Sequence, residues 1–228
     1  MTGHETVESV LKDIEVRTQA MQYLVRETFQ AGSALRTPDL LLLGVLKRVM
    51  STSRGFAQLV RARNFLCAAP LVRFQLDSAL RFYGVLITPD PSQSTSEVLG
   101  GARIDRMMDD QGERLRDHHL VKRLAKFYPW VPRIYEQASA YVHLSTTHMF
   151  GPVHRVDDEG GTVLILLTEE DVCATPQHWL DLVQAFRETT QLVGEVFGNW
   201  LSGHPNASAV VSKLESRRSP ASDEPQPG

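Results

Sequence analysis

One stretch in the first half of the chain decides the fold class: residues 64–86 read NFLCAAPLVRFQLDSALRFYGVL. Most of its side chains are apolar, and Asn64 belongs to the residue types that cap the free amides at a helix start. We therefore predict a helix over 65–86. Pro70 either kinks this helix or marks its true start, because proline lacks the N–H that a helix interior needs.

The segments on either side carry the periodicity of amphipathic helices. Mostly apolar residues recur every three or four positions over 5–31, and a Thr-Pro-Asp start at 37–39 introduces a second helix that runs to about residue 60. Thr175-Pro176 repeats this start before a long final helix. The buried side of that helix is predicted to carry Trp179, Leu182, Val183, Phe186, Thr190, Val193, Val196, Phe197 and Trp200.

The remaining elements are shorter. Helices are predicted at 96–110, 117–127 and 133–149, and TPDPSQS at 88–94 is interpreted as the end of the helix over 65–86. The turn-rich run DDEGG at 157–161 separates two apolar pieces, 153–156 and 162–167, which predicts a small β-hairpin. The predicted fold is all-α: a single bundle of about six or seven helices over residues 1–202, with a β-hairpin insertion near 153–167. Residues 203–228 are rich in Ser, Pro and charge and predict a disordered C-terminal tail.

Composition excludes several classes of protein. The 228 residues carry 24 basic and 27 acidic side chains, a net charge of −3, which argues against a strongly basic protein that coats nucleic acid. The longest near-continuous apolar run, 40–46, is far too short to span a bilayer, so we expect a cytoplasmic protein without a membrane partner. The two cysteines, Cys67 and Cys173, have apolar neighbours and no Cys-x-x-Cys spacing. They predict buried reduced thiols and neither a metal nor another cofactor.

The first candidate site lies on the helix over 65–86, where Arg73, Asp77 and Arg81 follow one another at every fourth position and share a face. Asp77 can fix both guanidinium groups, which leaves their other donors for a phosphate or carboxylate ligand. The alternative is a solvated stripe of ion pairs with a structural role only.

The second candidate site lies on the predicted helix over 133–149, where Tyr135, Ser139 and His143 share one face at the same spacing. Imidazole titrates near neutrality, so His143 is a candidate acid–base group that the phenol and hydroxyl could orient. The alternative is a histidine that makes a structural hydrogen bond in the core or at an interface.

Charge is segregated along the chain. Residues 47–81 carry seven basic side chains and one acid, a local charge of +6, whereas 157–171 carry six acids and no base. A basic face of this kind can bind RNA or another anionic ligand, and the acidic segment can cover it within one chain or across a homodimer. The alternative is that both segments are solvated surfaces. The nucleotide-binding glycine motifs and the Gly-x-Ser-x-Gly elbow are absent from the sequence.

The segment YEQASAYVHLS at 135–145 resembles an uncharacterised bacterial family of helical proteins, a domain of unknown function. That family has a late Tyr-x-x-x-Ser-x-Tyr-Val-His-x-Ser helix and an earlier Ala-x-x-Leu-x-Arg-x-x-x-(Glu/Asp) helix, which AAPLVRFQLD at 68–77 matches. The resemblance spans roughly residues 35–200. It implies that Arg73 and Asp77 approach Tyr135, Ser139 and His143. The chain departs from the family at Asp77, where Glu is commoner, and at Ala138, where a larger residue is usual.

More distantly, the helical pattern is similar to HEPN-type domains, many of which are metal-independent ribonucleases that act as dimers through an Arg-x4–6-His signature. Arg114 and His119 have that spacing, whereas Arg133 lies too far before His143. This resemblance implies that His143 or His119 would transfer protons at a ribose hydroxyl while Arg73 and Arg81 stabilise the charge on phosphate.

The sequence therefore predicts a cytoplasmic helical-bundle protein with a polar pocket that binds an anionic group. The candidate catalytic residues are His143 and Arg73, and the candidate ligand-binding residues are Arg73, Asp77, Arg81, Tyr135, Ser139, His143 and Ser145. Two alternatives stay open. One is an HEPN-like ribonuclease of the stress or phage-defence type, and the other is a non-catalytic interaction module in which the same residues lock the helices together.

Overall fold

The computed structural model describes residues 5–30, 34–142, 153–157 and 160–204. Seven α-helices and one two-stranded hairpin lie within these residues, which confirms the predicted all-α bundle with a hairpin insertion. The helices are α1 (Val7–Thr28), α2 (Thr37–Arg61), α3 (Phe65–Leu86), α4 (Pro91–Leu99), α5 (Asp117–Ala125), α6 (Val131–Ser139) and α7 (Pro176–Ser202). A single 3-10 turn, Ile104–Arg106, separates α4 from α5, and the strands are β1 (Val153–Asp157) and β2 (Thr162–Ile165).

Side-chain caps fix the starts of the long helices. Thr6 and Ser9 form a reciprocal capping box at α1, with hydrogen bonds of 2.9 and 3.2 Å. The Asn64 side chain accepts the N–H of Cys67 at 2.9 Å, so α3 begins at Phe65 and Pro70 lies inside it rather than at its start. Thr175 caps α7 in the same way, directly before Pro176.

Two predicted helices have the wrong bounds. The segment 88–94 does not simply end α3, because Asp90 accepts the N–H groups of Ser92 and Gln93 at 2.9 Å and starts α4 at Pro91. That helix ends at Leu99, and Gly101 then adopts a positive φ of 94°. The helix predicted over 133–149 begins at Val131 and ends at Ser139. The N–H groups of Tyr141 and Val142 bond to carbonyls three residues back, and residues 143–149 lie outside the described part of the chain.

The core lies between the four long helices. Helix α3 packs against α7 and α2, and α1 packs against α7 and α2. Aromatic pairs join these helices: the rings of Phe56 and Phe186 stack with centroids 3.9 Å apart, and Phe82 meets the edge of Phe197 at 5.3 Å. All four rings are fully buried, and burying a side chain of this size contributes roughly 1.5–3 kcal/mol.

A buried polar layer crosses the same core. The Gln75 amide donates to Thr190 at 3.0 Å and approaches the Ser53 hydroxyl at 3.4 Å, and Thr18 bonds to Ser53 at 3.3 Å. These four residues come from α1, α2, α3 and α7. Because hydrogen bonds in a low-dielectric core require matched partners, the layer fixes the relative register of the four helices.

Helices α5 and α6 pack against α3 beside this core, and the hairpin follows α6 in the chain. The strands pair antiparallel with Asp157 opposite Thr162, and Gly161 between them has a φ of 59°. At the other end, His204 is buried and its ring meets the edge of Phe29 at 5.2 Å, so packing extends two residues beyond the predicted boundary at 202. The rest of the predicted tail, 205–228, lies outside the described residues. None of the described helices combines the length and apolarity needed to cross a bilayer.

Candidate functional site

Three arginines and two aspartates form a connected group, which we call the arginine–aspartate cluster: Arg48, Arg73, Asp77, Arg81 and Asp117. Asp77 accepts Arg81 Nε and Arg48 Nη1 at 3.0 Å each, and Arg73 Nη1 lies 3.8 Å from it. Asp117, the first residue of α5, accepts a hydrogen bond from both Arg73 and Arg81. The cluster therefore ties α2, α3 and α5 together.

Other donors in the cluster also have partners within the protein. Arg81 Nη1 donates to the carbonyl of Leu115 at 3.3 Å, and Arg48 Nη2 donates to the carbonyl of Phe74 at 3.3 Å. The Arg73 guanidinium lies 4.3 Å from the ring centroid of Tyr135, whose hydroxyl donates to Asp117 at 3.3 Å. Through Tyr135 the cluster also holds α6.

The carboxylate that sequence reasoning missed is Asp117. The donors that the sequence analysis assigned to an external anion instead donate to this internal carboxylate, and only 12% of the Arg73 side chain is exposed. The sequence marked Asp117 only as the start of a helix, where an acid is expected in any case because of the helix dipole. Its role depends on the packing of α5 against α3, which no short motif encodes.

The second candidate site, Tyr135, Ser139 and His143, lies only partly within the described residues. The Tyr135 ring faces Arg73, and its hydroxyl donates to Asp117, a residue that the family resemblance does not include. Ser139 instead donates to the carbonyl of Tyr135 within its own helix at 2.6 Å. His143 and Ser145 lie outside the described residues, so their roles stay predictions.

Most of the basic segment over 47–81 is neutralised by ion pairs. Five of its seven basic residues have a carboxylate within 4.0 Å: Arg48, Arg61, Arg63, Arg73 and Arg81. Arg63 reaches Glu170 of the acidic segment at 3.8 Å, and the Asp171 carboxylate accepts the N–H of Leu66 at 2.9 Å. The acidic segment thus contacts the middle of the basic segment, at residues 63–66, within one chain, which weakens its field toward RNA.

Asp109, a fully buried carboxylate, organises the loop before α5. It accepts the N–H groups of Gln111 and Glu113 at 2.9 Å, His119 Nε2 lies at 2.8 Å and Arg123 Nη1 at 2.7 Å. Burial by itself raises the pKa of Asp109, but the hydrogen bonds from Glu113, His119 and Gln111 and the charge of Arg123 outweigh it. The resulting pKa is about 2. His119, the histidine of the Arg-x4-His spacing, is held by this carboxylate.

A cavity of about 710 Å³ lies between α3, α6 and α7. Its walls come from the start of α3, from α6 and the turn after it, from the loop 166–174 and from the first turns of α7. The apolar lining includes Phe65, Val72, Ile134, Tyr141, Leu166 and Leu182. Cavities of roughly 300–1,000 Å³ with mainly apolar walls are typical of small-molecule sites.

The cavity and the arginine–aspartate cluster share two helices. Val72 and Ile134 line the cavity, and the next residue on each helix, Arg73 and Tyr135, belongs to the contact between α3 and α6 described above. The cluster therefore sets the separation of two cavity walls. Sequence reasoning did not find the cavity because its walls lie up to about 120 residues apart in the chain.

Three carboxylates line the cavity: Glu170, Asp171 and Asp181. Asp171 is anchored by the N–H of Leu66, next to the Phe65 ring. Burial raises the pKa of Tyr141, and the negative charge of Asp171 raises it further. The Phe65 and Tyr141 rings lie 5.8 Å apart, and Phe65 also meets the edge of Trp179 at 5.1 Å. The carboxylate of Asp171 and the rings of Phe65 and Tyr141 thus border the same space.

The prediction of buried cysteines is wrong. Both Cys67 and Cys173 are exposed, because Cys67 lies in the solvent-facing first turn of α3 and Cys173 lies in the loop that borders the cavity. Cys173 Sγ is 3.5 Å from His154 Nδ1, which connects this loop to β1. Within the described ranges, no group of three or more His, Cys, Asp or Glu side chains could hold a metal ion.

Comparisons of this chain with models of protein families, with curated proteins and with solved structures give no match. The relationships to the bacterial helical family and to HEPN-type domains therefore stay predictions, and the geometry of the described residues carries the functional proposal.

Proposed function

We propose that this protein is a non-catalytic binding module that holds an apolar small molecule in the cavity between α3, α6 and α7. The observation that carries the proposal is the cavity itself, about 710 Å³ with walls built mainly from apolar and aromatic side chains. Leaving such a surface facing water is unfavourable by roughly 25 cal/mol per Å², and an apolar ligand removes it from water.

The arginine–aspartate cluster supports this proposal by its position rather than by its chemistry. Arg73 and Arg81 are paired with Asp77 and Asp117, and Tyr135 contacts both Arg73 and Asp117. In this interpretation the cluster holds α3, α5 and α6 in place and defines one side of the cavity. The predicted anionic ligand for Arg73, Asp77, Arg81, Tyr135, Ser139, His143 and Ser145 stays a prediction, as do a homodimer and a cytoplasmic location.

The direct test is the titration of the purified protein with Nile red, a neutral apolar dye whose emission shifts to the blue in an apolar site. We expect saturable binding by the wild-type protein. Ala185 lines the cavity and is half-buried on α7, so Ala185→Phe should fill part of the space and weaken binding by about tenfold or more.

The matched control is Ala20→Phe, the same substitution at an exposed position of α1 outside the cavity. This variant should bind the dye as the wild type does. Both variants are to be checked by circular dichroism, and Ala185→Phe should melt at the wild-type temperature or above it because it fills empty space. Equal dye affinity in Ala185→Phe and Ala20→Phe would contradict the proposal.

RNA cleavage is the second candidate function, and one observation favours it. His119 is held by the carboxylate of Asp109 at 2.8 Å, an arrangement that orients an imidazole for proton transfer through its other nitrogen. Against it stands the pairing of most of the basic segment with carboxylates. The ribonuclease hypothesis therefore depends on His119 and on His143, which lies outside the described residues.

A further inference from the structure

We infer that the ligand of the cavity is an organic cation, an apolar molecule that carries an ammonium group. The inference rests on the proposed function, because it assigns a chemical class to the occupant of the same cavity. It is carried by the charges and the aromatic faces that line the space.

The charged side chains among the described lining residues are all acidic. Glu170, Asp171 and Asp181 contribute three carboxylates, and none of the described lining residues is a lysine or an arginine. One of the three carboxylates, Glu170, lies 3.8 Å from the guanidinium group of Arg63, and Arg63 is not itself a lining residue. One arginine against three carboxylates leaves the opening negative, and a low-dielectric wall strengthens the attraction of a cation to it.

The aromatic groups lie where a cation would meet them. Phe65 and Tyr141 both line the cavity, with ring centroids 5.8 Å apart and planes inclined by 60°. An ammonium group is attracted to the face of an aromatic ring, and quaternary ammonium compounds are bound by sets of such faces. A fatty acid or another anion would meet the three carboxylates instead, which is why the lining discriminates against the opposite charge.

Asp171 connects the two features. Its carboxylate is fixed at the N-terminus of α3 by the N–H of Leu66 at 2.9 Å, directly beside Phe65. Its charge also acts on the Tyr141 hydroxyl, since it helps to raise the pKa of that group. A cation beside the rings of Phe65 and Tyr141 would lie in the part of the cavity that carries Asp171, while its apolar part lies along Val72, Ile134 and Leu182.

The test compares three probes of similar size by isothermal titration calorimetry: (4-phenylbutyl)trimethylammonium, neutral 4-phenylbutanol and anionic 5-phenylvalerate. We expect the cation to bind about tenfold more tightly than the alcohol, and the anion to bind more weakly than the alcohol. Raising the ionic strength should reduce the preference for the cation, because the opening is partly exposed to solvent.

The informative variant is Asp171→Asn, because the asparagine oxygen can still accept the N–H of Leu66. It should lose most of the preference for the cation while its affinity for 4-phenylbutanol stays within about twofold, which shows that the cavity is intact. Glu97→Gln, which neutralises an exposed acid on α4 away from the cavity, should behave as the wild type.

The outcomes separate the two proposals. If the alcohol binds but the cation has no advantage, the cationic ligand is excluded while the apolar binding function stands. If Asp171→Asn keeps the full preference for the cation, the placement of the cation at Asp171 is excluded. If none of the three probes binds and Nile red does not bind, both the ligand class and the proposed function are excluded.

Discussion

Replacement of Asp117 by asparagine tests the structural role of the arginine–aspartate cluster directly. The side chain keeps its shape but loses the charge that accepts hydrogen bonds from Arg73, Arg81 and Tyr135. Removing one partner of a fully buried ion pair costs roughly 3–5 kcal/mol. Since 27% of the Asp117 side chain is exposed, water can solvate part of the arginine groups that lose their partner. We therefore expect the free energy of unfolding to fall by about 2 kcal/mol.

For a domain of this length such a loss lowers the melting temperature by roughly 4–8 °C. The assay is urea unfolding followed by circular dichroism at 222 nm, in which the midpoint should fall while the dependence on urea is unchanged. Asp105→Asn is the control, because Asp105 pairs with Arg103, whose side chain is 64% exposed, and it should leave the melting temperature within about 1 °C of the wild type.

The same experiment separates the structural role from anion binding. If Arg73 and Arg81 form an anion site, phosphate at low millimolar concentration, too dilute for its general stabilising effect on folded proteins, should raise the melting temperature of the wild-type protein above that in chloride of equal ionic strength. If they are structural, the two salts should give the same temperature. A loss below about 0.5 kcal/mol in Asp117→Asn, together with stabilisation by phosphate, would refute the structural role of the cluster.

Three further predictions follow from the core, the buried carboxylate and the histidines. The pKa of Asp109 is lowered from 3.8 to about 2, so its ionised form adds about 2 kcal/mol to the free energy of unfolding. This contribution is complete above pH 4 and is lost as the pH falls from about 4 to 2. Asp109→Asn should therefore flatten the acid side of the stability–pH curve, and an unchanged curve would argue against this role. Phe186→Ala should cost roughly 3–5 kcal/mol in urea unfolding because it empties the stack with Phe56, and a cost near 1 kcal/mol would show that the core collapses around the gap. Incubation with mixed-sequence RNA in EDTA should give no cleavage by the wild type, His119→Ala or His143→Ala, whereas wild-type cleavage that disappears in either variant would establish the ribonuclease function instead.

Local chemistry explains how much of the fold the sequence predicts. The apolar periodicity of 5–31, 65–86 and the final helix depends only on which residues recur every three or four positions, so these helices are recognisable without any knowledge of their partners. The caps at Asn64 and Thr175 act within one turn and are equally readable. The prediction is wrong over 88–110, where Asp90 and Pro91 start a new helix although the same residue types are typical of a turn.

The sequence likewise predicts only some of the contacts in the candidate site. Arg73, Asp77 and Arg81 are neighbours on one helix, so the helical spacing alone predicts their contacts. What these residues do depends on Asp117 and Tyr135, which lie more than 30 residues further along and reach the cluster only through the packing of α5 and α6. The same stripe is therefore compatible with an anion site or a structural cluster until these partners are known.

The cavity can be recognised only from the tertiary structure. Its walls are contributed by α3, α6, the loop 166–174 and α7, none of which carries a motif for a ligand. A cavity forms where packed elements fail to fill the space between them, and that volume depends on the relative placement of whole helices. The sequence by itself determines the long helices and the neighbours within one turn, because these depend on contacts a few residues apart. Only the tertiary structure decides which carboxylates meet the arginines and where the apolar space remains, because those depend on contacts across the bundle.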